Sequence, residues 1–544
     1  MTATEETAPE AALVATDAHA AHHHRDTMTH REVLESLSGI LLGMFVSIIA
    51  TSVVSSSLPR IVADLHGSQH SFTWVVTATL LTTTITTPIW GKLADLFSRK
   101  LLIQLALAIS MLSSAAAGLS HTVGELIAMR AVQGIGAGGL TALATVLIAD
   151  IISPRERGRY MGLMGGIMGI GMVGGPLLGG LITDGPGWRW NFFVGLPFTI
   201  AAIVVLQVTL HLPQLKRRQT QIDYVGALTL SAGVALLLLW VTFADSSFAW
   251  NSWQTYAMVG GAVALLALTV RIENRVAEPI IPMHLFKNGT FVLAVVASVA
   301  VGIAMFGSSV FLSQYMQLAR GKTPTQSGLL TIPMVVGVFL TSTLTGRLIS
   351  RTGRYKRFMV AGAALLAAGL GLMGTIDYHT SFVLVSLYMF VLGAAVGMLM
   401  QNLVLVVQNT LDIHEIGSGT AAVAFFRTLG GAIGVSVLGA VLSRRVQDLI
   451  IKGLVALGIN PAALGASGAT SIPNLSTLPG PIRDVVEKAF GDGVAELFLI
   501  GAPIAVIALV AVLFLKEVPL GRKSGVEQLL EQETGAAELA DARG

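Results

Sequence analysis

The residues in this sequence that could do chemistry are a few polar groups inside long apolar runs. Arg130 and Gln133 stand in one such run, and Arg427 stands in another. A guanidinium stays charged in proteins, so it does not carry a proton itself, but it tunes a neighbouring acid or binds an anionic group. An arginine in an apolar helix is therefore a functional candidate. The alternative for Arg130 is a side chain that snorkels to the nearby end of its helix.

The elements that must position these groups are membrane-spanning helices. The 544 residues are 53% hydrophobic and only 12% charged, whereas soluble domains carry about 25% charged residues. A helix needs roughly 20 apolar residues to cross a bilayer. The sequence predicts fourteen such spans: 38–58, 72–91, 101–119, 124–149, 158–181, 191–210, 223–243, 255–272, 289–313, 326–347, 358–376, 381–408, 417–442 and 494–515.

Lysine and arginine are unevenly distributed between the two sets of loops. The short loops after even-numbered spans, up to the tenth, hold seventeen, and the opposite short loops hold four. Because basic loops stay in the cytoplasm, we predict a plasma-membrane protein with both termini cytoplasmic. The same clustering accounts for the net charge of +3 without a nucleic-acid partner.

Several kinds of chemistry are excluded. The absence of cysteine excludes disulfides, cysteine-ligated metals and a thiol nucleophile. We find no Ser/His/Asp set, metal-ligand cluster or phosphate-binding loop, so the sequence predicts neither an enzyme nor a cofactor. With no nucleotide-hydrolysing domain, transport would be secondary. A histidine run could bind a metal loosely but needs no ligand; it comprises His19, His22, His23, His24 and His30.

One loop occurs twice. The sequence after span 2, Gly91 to Lys100, recurs after span 10 as Gly346 to Lys356. Spans 1–6 and 9–14 would then form two related bundles, with the substrate site between them near the bilayer midplane. The predicted organisation is a disordered cytoplasmic tail (1–36), a first bundle (37–210), an inserted pair with its linkers (211–288), a second bundle (289–515) with an outer loop (443–493), and a cytoplasmic tail (516–544).

The repeated loop resembles the cytoplasmic signature of the major facilitator superfamily. In that family the glycine permits close helix approach, and an acid with basic partners forms a charge latch. The resemblance assigns these roles to Gly91, Asp95, Arg99 and Lys100, and in the second repeat to Gly346 and Arg354. The alternative, a loop that only sets topology, leaves Gly91 and Asp95 unexplained. The stretch Arg130 to Gly136 resembles the second signature of the superfamily and makes Arg130 and Gln133 coupling candidates.

Span 5 resembles the signature of the superfamily's antiporters. Small residues let neighbouring helices pack closely, and a proline removes a backbone hydrogen bond. A plain glycine packing helix is the alternative. The matching positions are Gly162, Gly171, Gly175, Pro176, Gly179 and Gly180.

Further stretches narrow the resemblance to the fourteen-span drug:proton antiporter branch. Leu58-Pro59-Arg60-Ile61 closes span 1, Trp188 to Phe193 leads into span 6, and Phe425 to Gly431 lies in span 13. The resemblance implies a monomeric exporter of hydrophobic or cationic drugs, with protons as coupling ion. An exporter of a native metabolite or lipid, and a sensor that does not transport, remain as alternatives.

The sequence departs from the branch in span 1. Many members carry an acid where this chain has Ala50, and no Asp or Glu lies deep inside another predicted span. Asp150, at the end of span 4, and Asp95 are possible substitutes as proton carriers. Both could instead form ordinary salt bridges, Asp150 with Arg155 or Arg157.

Polar groups within spans are the candidates for a substrate cavity, because such groups usually face the bundle interior. Amides also serve as interhelical hydrogen-bonding groups, which is the alternative for each of them. The candidates are Thr51, Ser55, Gln314, Tyr315, Gln401, Asn402, Gln408 and Arg427.

Overall fold

The computed structural model describes most of the chain. The described ranges are 30–65, 69–210, 223–244, 248–276, 278–322, 324–412, 415–459 and 479–521. Histidines 19 and 22–24 and most of both predicted tails lie outside these ranges. The described part of the N-terminal region is already helical at His30, so the predicted tail 1–36 ends earlier than expected.

The chain folds into helices throughout the described ranges, with one isolated bridge between Ala244 and Phe248. Within the described ranges, the first half and the inserted pair contain nine helices: α1 (His30–Asp64), α2 (Gln69–Leu96), α3 (Arg99–Gly118), α4 (Val123–Ile151), α5 (Pro154–Asp184), α6 (Trp190–Phe193), α7 (Leu196–Thr209), α8 (Tyr224–Phe243) and α9 (Trp253–Glu273).

The second half follows a short 3-10 turn, Met283–Lys287. Its first helix ends in a π-helical turn, Tyr315–Ala319. The α-helices are α10 (Gly289–Gln314), α11 (Pro324–Leu330), α12 (Ile332–Thr352), α13 (Lys356–Met373), α14 (Phe382–Gln408), α15 (Ile416–Ala456) and α16 (Gly480–Phe514).

The number of membrane-crossing helices agrees approximately with the sequence. Within the described residues, 12 helices are long and apolar enough to cross a membrane, with α6 and α7 counted as one. Two more long helices pack among them: α2, with 28 residues, and α5, with 31. The predicted all-α membrane fold is confirmed.

The predicted loop 443–493 is largely helical where it is described. Helix α15 has 41 residues and α16 has 35, so α15 is about 60 Å long at 1.5 Å per residue. The two extensions pack together, and Arg445 Nε lies 2.6 Å from Glu496 Oε2. Hydropathy ended the predicted span at residue 442 because the continuing helix is rich in charged residues. Residues 460–478 lie outside the described ranges.

Helix α2 packs closely against α4, because side chains of α2 donate hydrogen bonds to backbone carbonyls of α4. Thr83 Oγ1 donates to the Gly134 carbonyl at 3.1 Å, and Trp90 Nε1 donates to the Ile135 carbonyl at 2.9 Å. A Cβ on Gly138 would lie 2.8 Å from the Thr83 carbonyl oxygen, so the close approach requires glycine there. This packing fixes the Gly91–Lys100 loop, at the end of α2, relative to α4.

The two halves meet mainly along two pairs of helices. Helix α5 packs against α12, and α2 packs against α15. These pairs are equivalent, because each joins a helix that ends in the repeated loop to a helix of the other half. The inserted helices α8 and α9 pack on each other, and α8 also contacts α2 and α15. The contacts between the halves are therefore the part of the fold that transport would have to change.

Candidate functional site

Asp95 joins the two halves. Its Oδ1 accepts from the Gly417 N–H at 3.0 Å, and its Oδ2 accepts from the Ser418 N–H at 2.9 Å. Both N–H groups belong to the first turn of α15, which has no intrahelical acceptors for them. The carboxylate also meets the positive end of the α15 dipole. We call this end of the bundle, which carries the Gly91–Lys100 loop, the latch end.

Arg99 connects Asp95 to a second buried acid. Its Nη2 lies 4.0 Å from Asp95 Oδ1, and its Nη1 forms an ion pair with Asp150 Oδ2. Asp150, for which we considered a salt bridge to Arg155 or Arg157, forms an ion pair with Arg99 and also interacts electrostatically with Arg157. Arg157 donates to the Ile152 carbonyl at 2.8 Å, because its buried guanidinium lies at the end of α4.

The other residues of the first loop divide between the two halves. A Cβ on Gly91 would collide with the Ala421 side chain and lie 2.9 Å from the Gly417 carbonyl oxygen, so this glycine permits the approach of α15. Lys100 Nζ donates to the Gln207 carbonyl at 2.8 Å and stays within the first half.

The second copy of the loop makes an equivalent contact without an acid. Ser350 occupies the place of Asp95, and its hydroxyl donates to the Glu156 carbonyl at 3.4 Å, in the first turn of α5. Gly346 lies against the backbone of Gly158. The side chain of Arg354 is exposed. One pair of helices is therefore joined by a carboxylate, and the other by a neutral hydroxyl.

The glycines of α5 permit close packing on two faces of this helix. A Cβ on Gly162 would collide with the Ser342 carbonyl oxygen and lie 3.0 Å from Thr343 Cα in α12, while Ser342 Oγ donates to the Gly162 carbonyl at 3.0 Å. A Cβ on Gly171 would lie 2.8 Å from Ile48 Cγ2, and one on Gly175 would collide with Ser52. The signature helix therefore packs against both α12 of the other half and α1 of its own half.

The far end of α5 joins a buried polar cluster that the sequence analysis did not identify. Ser57 Oγ donates to the Gly179 carbonyl at 3.1 Å, and Asn191 Nδ2 donates to Ser57 Oγ at 2.7 Å and to Thr183 Oγ1 at 2.8 Å. The cluster holds α1, α5 and α6 together at the end opposite the latch. Gly180 also lies in α5, and the side chain of Pro176 lies outside what the structure describes.

Arg130 is buried in the first half, with 4% of its surface exposed. Its Nη1 donates to Gln133 Oε1 at 2.5 Å, and Thr79 Oγ1 donates to the Arg130 carbonyl at 3.1 Å. Arg130 Nε and Gln133 Nε2 have no hydrogen-bond partner within the described chain. The pair therefore has donors left for a ligand or for a rearranged neighbour, and the burial does not fit a snorkelling side chain.

Two of the predicted cavity amides reach across the two halves. Gln401 Nε2 lies 3.8 Å from Met168 Sδ on α5, and Gln408 Nε2 donates to the Thr145 carbonyl on α4 at 3.2 Å. Both Oε1 atoms are buried without a hydrogen-bond partner in the described structure. Asn402, in contrast, donates to the Met398 carbonyl of its own helix at 2.6 Å.

The remaining cavity candidates lie within one half. Tyr315 is fully buried, and its hydroxyl donates to the Asp377 carbonyl at 2.7 Å in the second half. Arg427 Nη1 donates to the Met400 carbonyl at 3.3 Å. Thr51 Oγ1 donates to the Ile48 carbonyl of its own helix at 2.9 Å. Gln314 is half-buried at the end of α10, and the side chain of Ser55 lies outside what the structure describes.

Ala50, where the branch commonly has an acid, faces the interior of the first half. It lines a small recess together with Ser110, Ser114 and Thr199. The recess lies among α1, α3, α4 and α7 rather than between the halves. An acid at this position would therefore lie in a recess lined by hydroxyl groups. In this chain α1 contributes no titratable group to that recess.

A segment after α16 crosses the latch end. The Val518 N–H donates to the Tyr355 hydroxyl at 2.8 Å, and the Gly521 N–H donates to Asn409 Oδ1 at 3.2 Å, both in the second half. The Arg155 N–H of the first half donates to the Gly521 carbonyl at 3.1 Å. The beginning of the predicted C-terminal tail therefore bridges the two halves beside the repeated loops.

Comparison with known proteins identifies similar sequences over most of the chain. An uncharacterized MFS-type transporter of Mycobacterium tuberculosis is 36% identical over 488 residues, which are 89% of this chain and 69% of that protein. The multidrug transporter protein MdtP of Bacillus subtilis is 31% identical over 526 residues, which are 92% of this chain and 96% of that protein.

Solved structures share the fold at low sequence identity. The proton:xylose symporter XylE superposes with a TM-score of 0.60 at 16% identity and covers 93% of this chain and all of its own. The sequence model of the Major Facilitator Superfamily matches residues 40–435. The two bundles, the repeated loop and these matches together show that the chain belongs to the major facilitator superfamily, among relatives named as multidrug efflux transporters.

Proposed function

We propose that this protein is a secondary active exporter that moves hydrophobic or cationic small molecules out of the cell in exchange for protons. The main support for this proposal is the contact between the two halves at the latch end. There one carboxylate holds the first turn of α15, and glycines let α5 and α12 touch through their backbones. Polar contacts of this kind can separate and re-form, as alternating access requires.

The orientation of the protein in the membrane is part of the same proposal. The basic loops lie at the latch end, which we place in the cytoplasm together with both termini. The closed latch then corresponds to a conformation that blocks access from the cytoplasm. The chain acts as a monomer in the plasma membrane, and its domains are the two bundles and the inserted pair predicted from the repeat. Arg130 with Gln133, and Asp150 with Arg99, are the coupling candidates.

The interface and the relatives support the proposed substrate class. Gln401 and Gln408 present unpaired carbonyl oxygens, and Met168 adds a polarizable thioether. Such a surface offers acceptors and adaptable apolar contacts. A relative at 31% identity is named a multidrug transporter, which fits a site that selects by polarity and shape.

Inside-out membrane vesicles test the proposal. With a pre-formed pH gradient, acid inside, we expect ethidium to accumulate in the vesicles and to dissipate the gradient, and we expect vesicles without the protein to do neither. Ethidium accumulation that persists after the gradient is abolished would contradict proton antiport. Ethidium binding to the purified protein without any flux would favour the alternative, a sensor that does not transport. A native metabolite or lipid as cargo would appear as flux of that compound without ethidium flux.

Neighbouring amides on α14 give a test of substrate contact. We expect Gln401→Ala to raise the KM for ethidium transport several-fold, because it removes a buried acceptor between the halves. The matched variant Asn402→Ala should leave the KM within about twofold, since Asn402 bonds its own helix. Equal KM values for the two variants would exclude Gln401 from the substrate path. The measurement is initial ethidium uptake in vesicles over a range of concentrations.

A further inference from the structure

Two acids of the inserted helix pair meet at the latch end. Asp223 precedes α8, and Glu273 ends α9. Their exposed fractions are 8% and 3%. A Cβ on Gly226 would collide with Asp223 Oδ2 and lie 3.0 Å from Glu273 Oε1, so both oxygens lie against the same glycine. The inserted pair, which has no equivalent in the two repeats, thus has its own carboxyl pair.

Within the described residues, only one oxygen of each carboxyl group accepts a hydrogen bond. Asp223 Oδ1 accepts from the Gly226 N–H at 2.8 Å, and Glu273 Oε2 accepts from the Ile281 N–H at 3.3 Å. The two oxygens that converge on Gly226 have no hydrogen-bond partner in the described structure. Two negative charges buried this close together would repel each other strongly, and a proton on one of the carboxyl groups removes that repulsion.

The polar contact continues from this pair into α8 and α9. Thr269, one turn before Glu273, donates to Thr229 Oγ1 at 3.0 Å, and both threonines are buried. Lys92 of α2 interacts electrostatically with Glu273, but its Nζ lies 2.6 Å from Glu278 Oε2. Lys92 is therefore already neutralised by a third acid. The buried pair needs another positive charge, and the proton is the smallest one available.

We propose that Asp223 and Glu273 form a proton-binding site that acts on the latch. One carboxyl of the pair carries the proton, and the other remains a carboxylate. Release of the proton to water leaves two charges that repel each other. The segment 278–281 would respond, because Glu273 holds the Ile281 N–H and Glu278 holds Lys92, the neighbour of Gly91. Proton binding is proposed here on its own evidence, and its role in coupling rests on the proposed antiport.

The thermal stability of the purified full-length protein tests proton binding without any transport. We expect the Tm of the wild type to fall as the pH rises, since folding then has to bury two charges. Glu273→Gln cannot ionise and keeps an acceptor for the Ile281 N–H, so its Tm should fall much less over the same pH range. Glu496→Gln, the control, removes a partly exposed acid at the opposite end of the bundle and should keep the wild-type pH dependence. If Glu273→Gln does not fold, Asp223→Asn, which preserves the helix cap, should give the same flattened profile.

Three results would decide against the proposal or part of it. Parallel Tm profiles for the wild type and for both amide variants would overturn the site. A Tm that responds to Na+ and not to pH would overturn the assignment of a proton. In vesicles, we expect the pH dependence of ethidium uptake to flatten in Glu273→Gln. An unchanged dependence with a flattened Tm profile would overturn only the coupling role. Loss of the proposed function itself would appear as absent uptake in the wild type.

Discussion

Asp95→Asn should lower ethidium transport at least tenfold while the protein still folds. The amide has nearly the same size as the carboxylate, but it can neither accept from both N–H groups of α15 nor carry the charge that meets Arg99. Hydrogen bonds to a charged group contribute about 1.5–3 kcal/mol each, and about 1.4 kcal/mol is a factor of ten in an equilibrium constant. The equilibrium constant for closing the latch should therefore fall at least tenfold.

The absence of cysteine gives this prediction a direct readout. In a Ser342→Cys background, a water-soluble maleimide should label the buried position between α5 and α12 faster when Asp95→Asn is added. The control is Ser350→Ala, at the equivalent place of the second repeat, where a single neutral hydrogen bond of 3.4 Å is lost. We expect its transport to stay within threefold of the wild type. Equal labelling with and without Asp95→Asn would remove Asp95 from the latch.

Gly162→Ala should reduce transport by a similar or larger factor. The added methyl group would collide with the backbone of Ser342, and backbone cannot rotate away as a flexible side chain can. Helices α5 and α12 would have to separate, which breaks the hydrogen bond from Ser342 to the Gly162 carbonyl. We therefore expect the latch end to open, as measured by faster maleimide labelling of Thr420→Cys, which is fully buried in the wild type.

Gly174→Ala provides a matched control in the same helix. A Cβ on Gly174 meets nothing within 4 Å, so the substitution adds helix propensity without a collision. Its transport should remain within twofold of the wild type. If both alanine variants lost transport to the same extent, the glycines of α5 would matter for the helix itself rather than for the contact between the halves.

Much of the architecture could be predicted from local patterns. Apolar runs give the spans, and the repeat of Gly91 at Gly346 relates the two halves, because both signals are contained in short stretches of sequence. The partner of Asp95 could not be predicted in this way. Its ligands are the backbone N–H groups of Gly417 and Ser418, more than 300 positions away, and a backbone N–H at a helix start has no distinctive side chain.

The differences at other sites have similar causes. The sequence placed Asp150 near Arg155 and Arg157, which are close along the chain, but Arg99 reaches it from another helix. Tyr315 stands beside Gln314, yet the π-helical turn directs its hydroxyl to Asp377 within the same half. No local pattern indicates the pairing of Asp223 with Glu273, because it depends on how α8 and α9 pack. Long-range packing decides these contacts, and residue type alone does not.

The long helices α15 and α16 have a practical consequence for imaging. The hydrocarbon core of a bilayer is about 30 Å thick, and the 41 residues of α15 extend about twice that length. Helix α15 is thus long enough to extend beyond the lipid on the side opposite the latch, together with the start of α16, to which Arg445 is linked through Glu496. A 56.9 kDa membrane protein is otherwise nearly hidden in its detergent micelle. This projecting pair should serve as a built-in landmark for aligning single particles in electron micrographs.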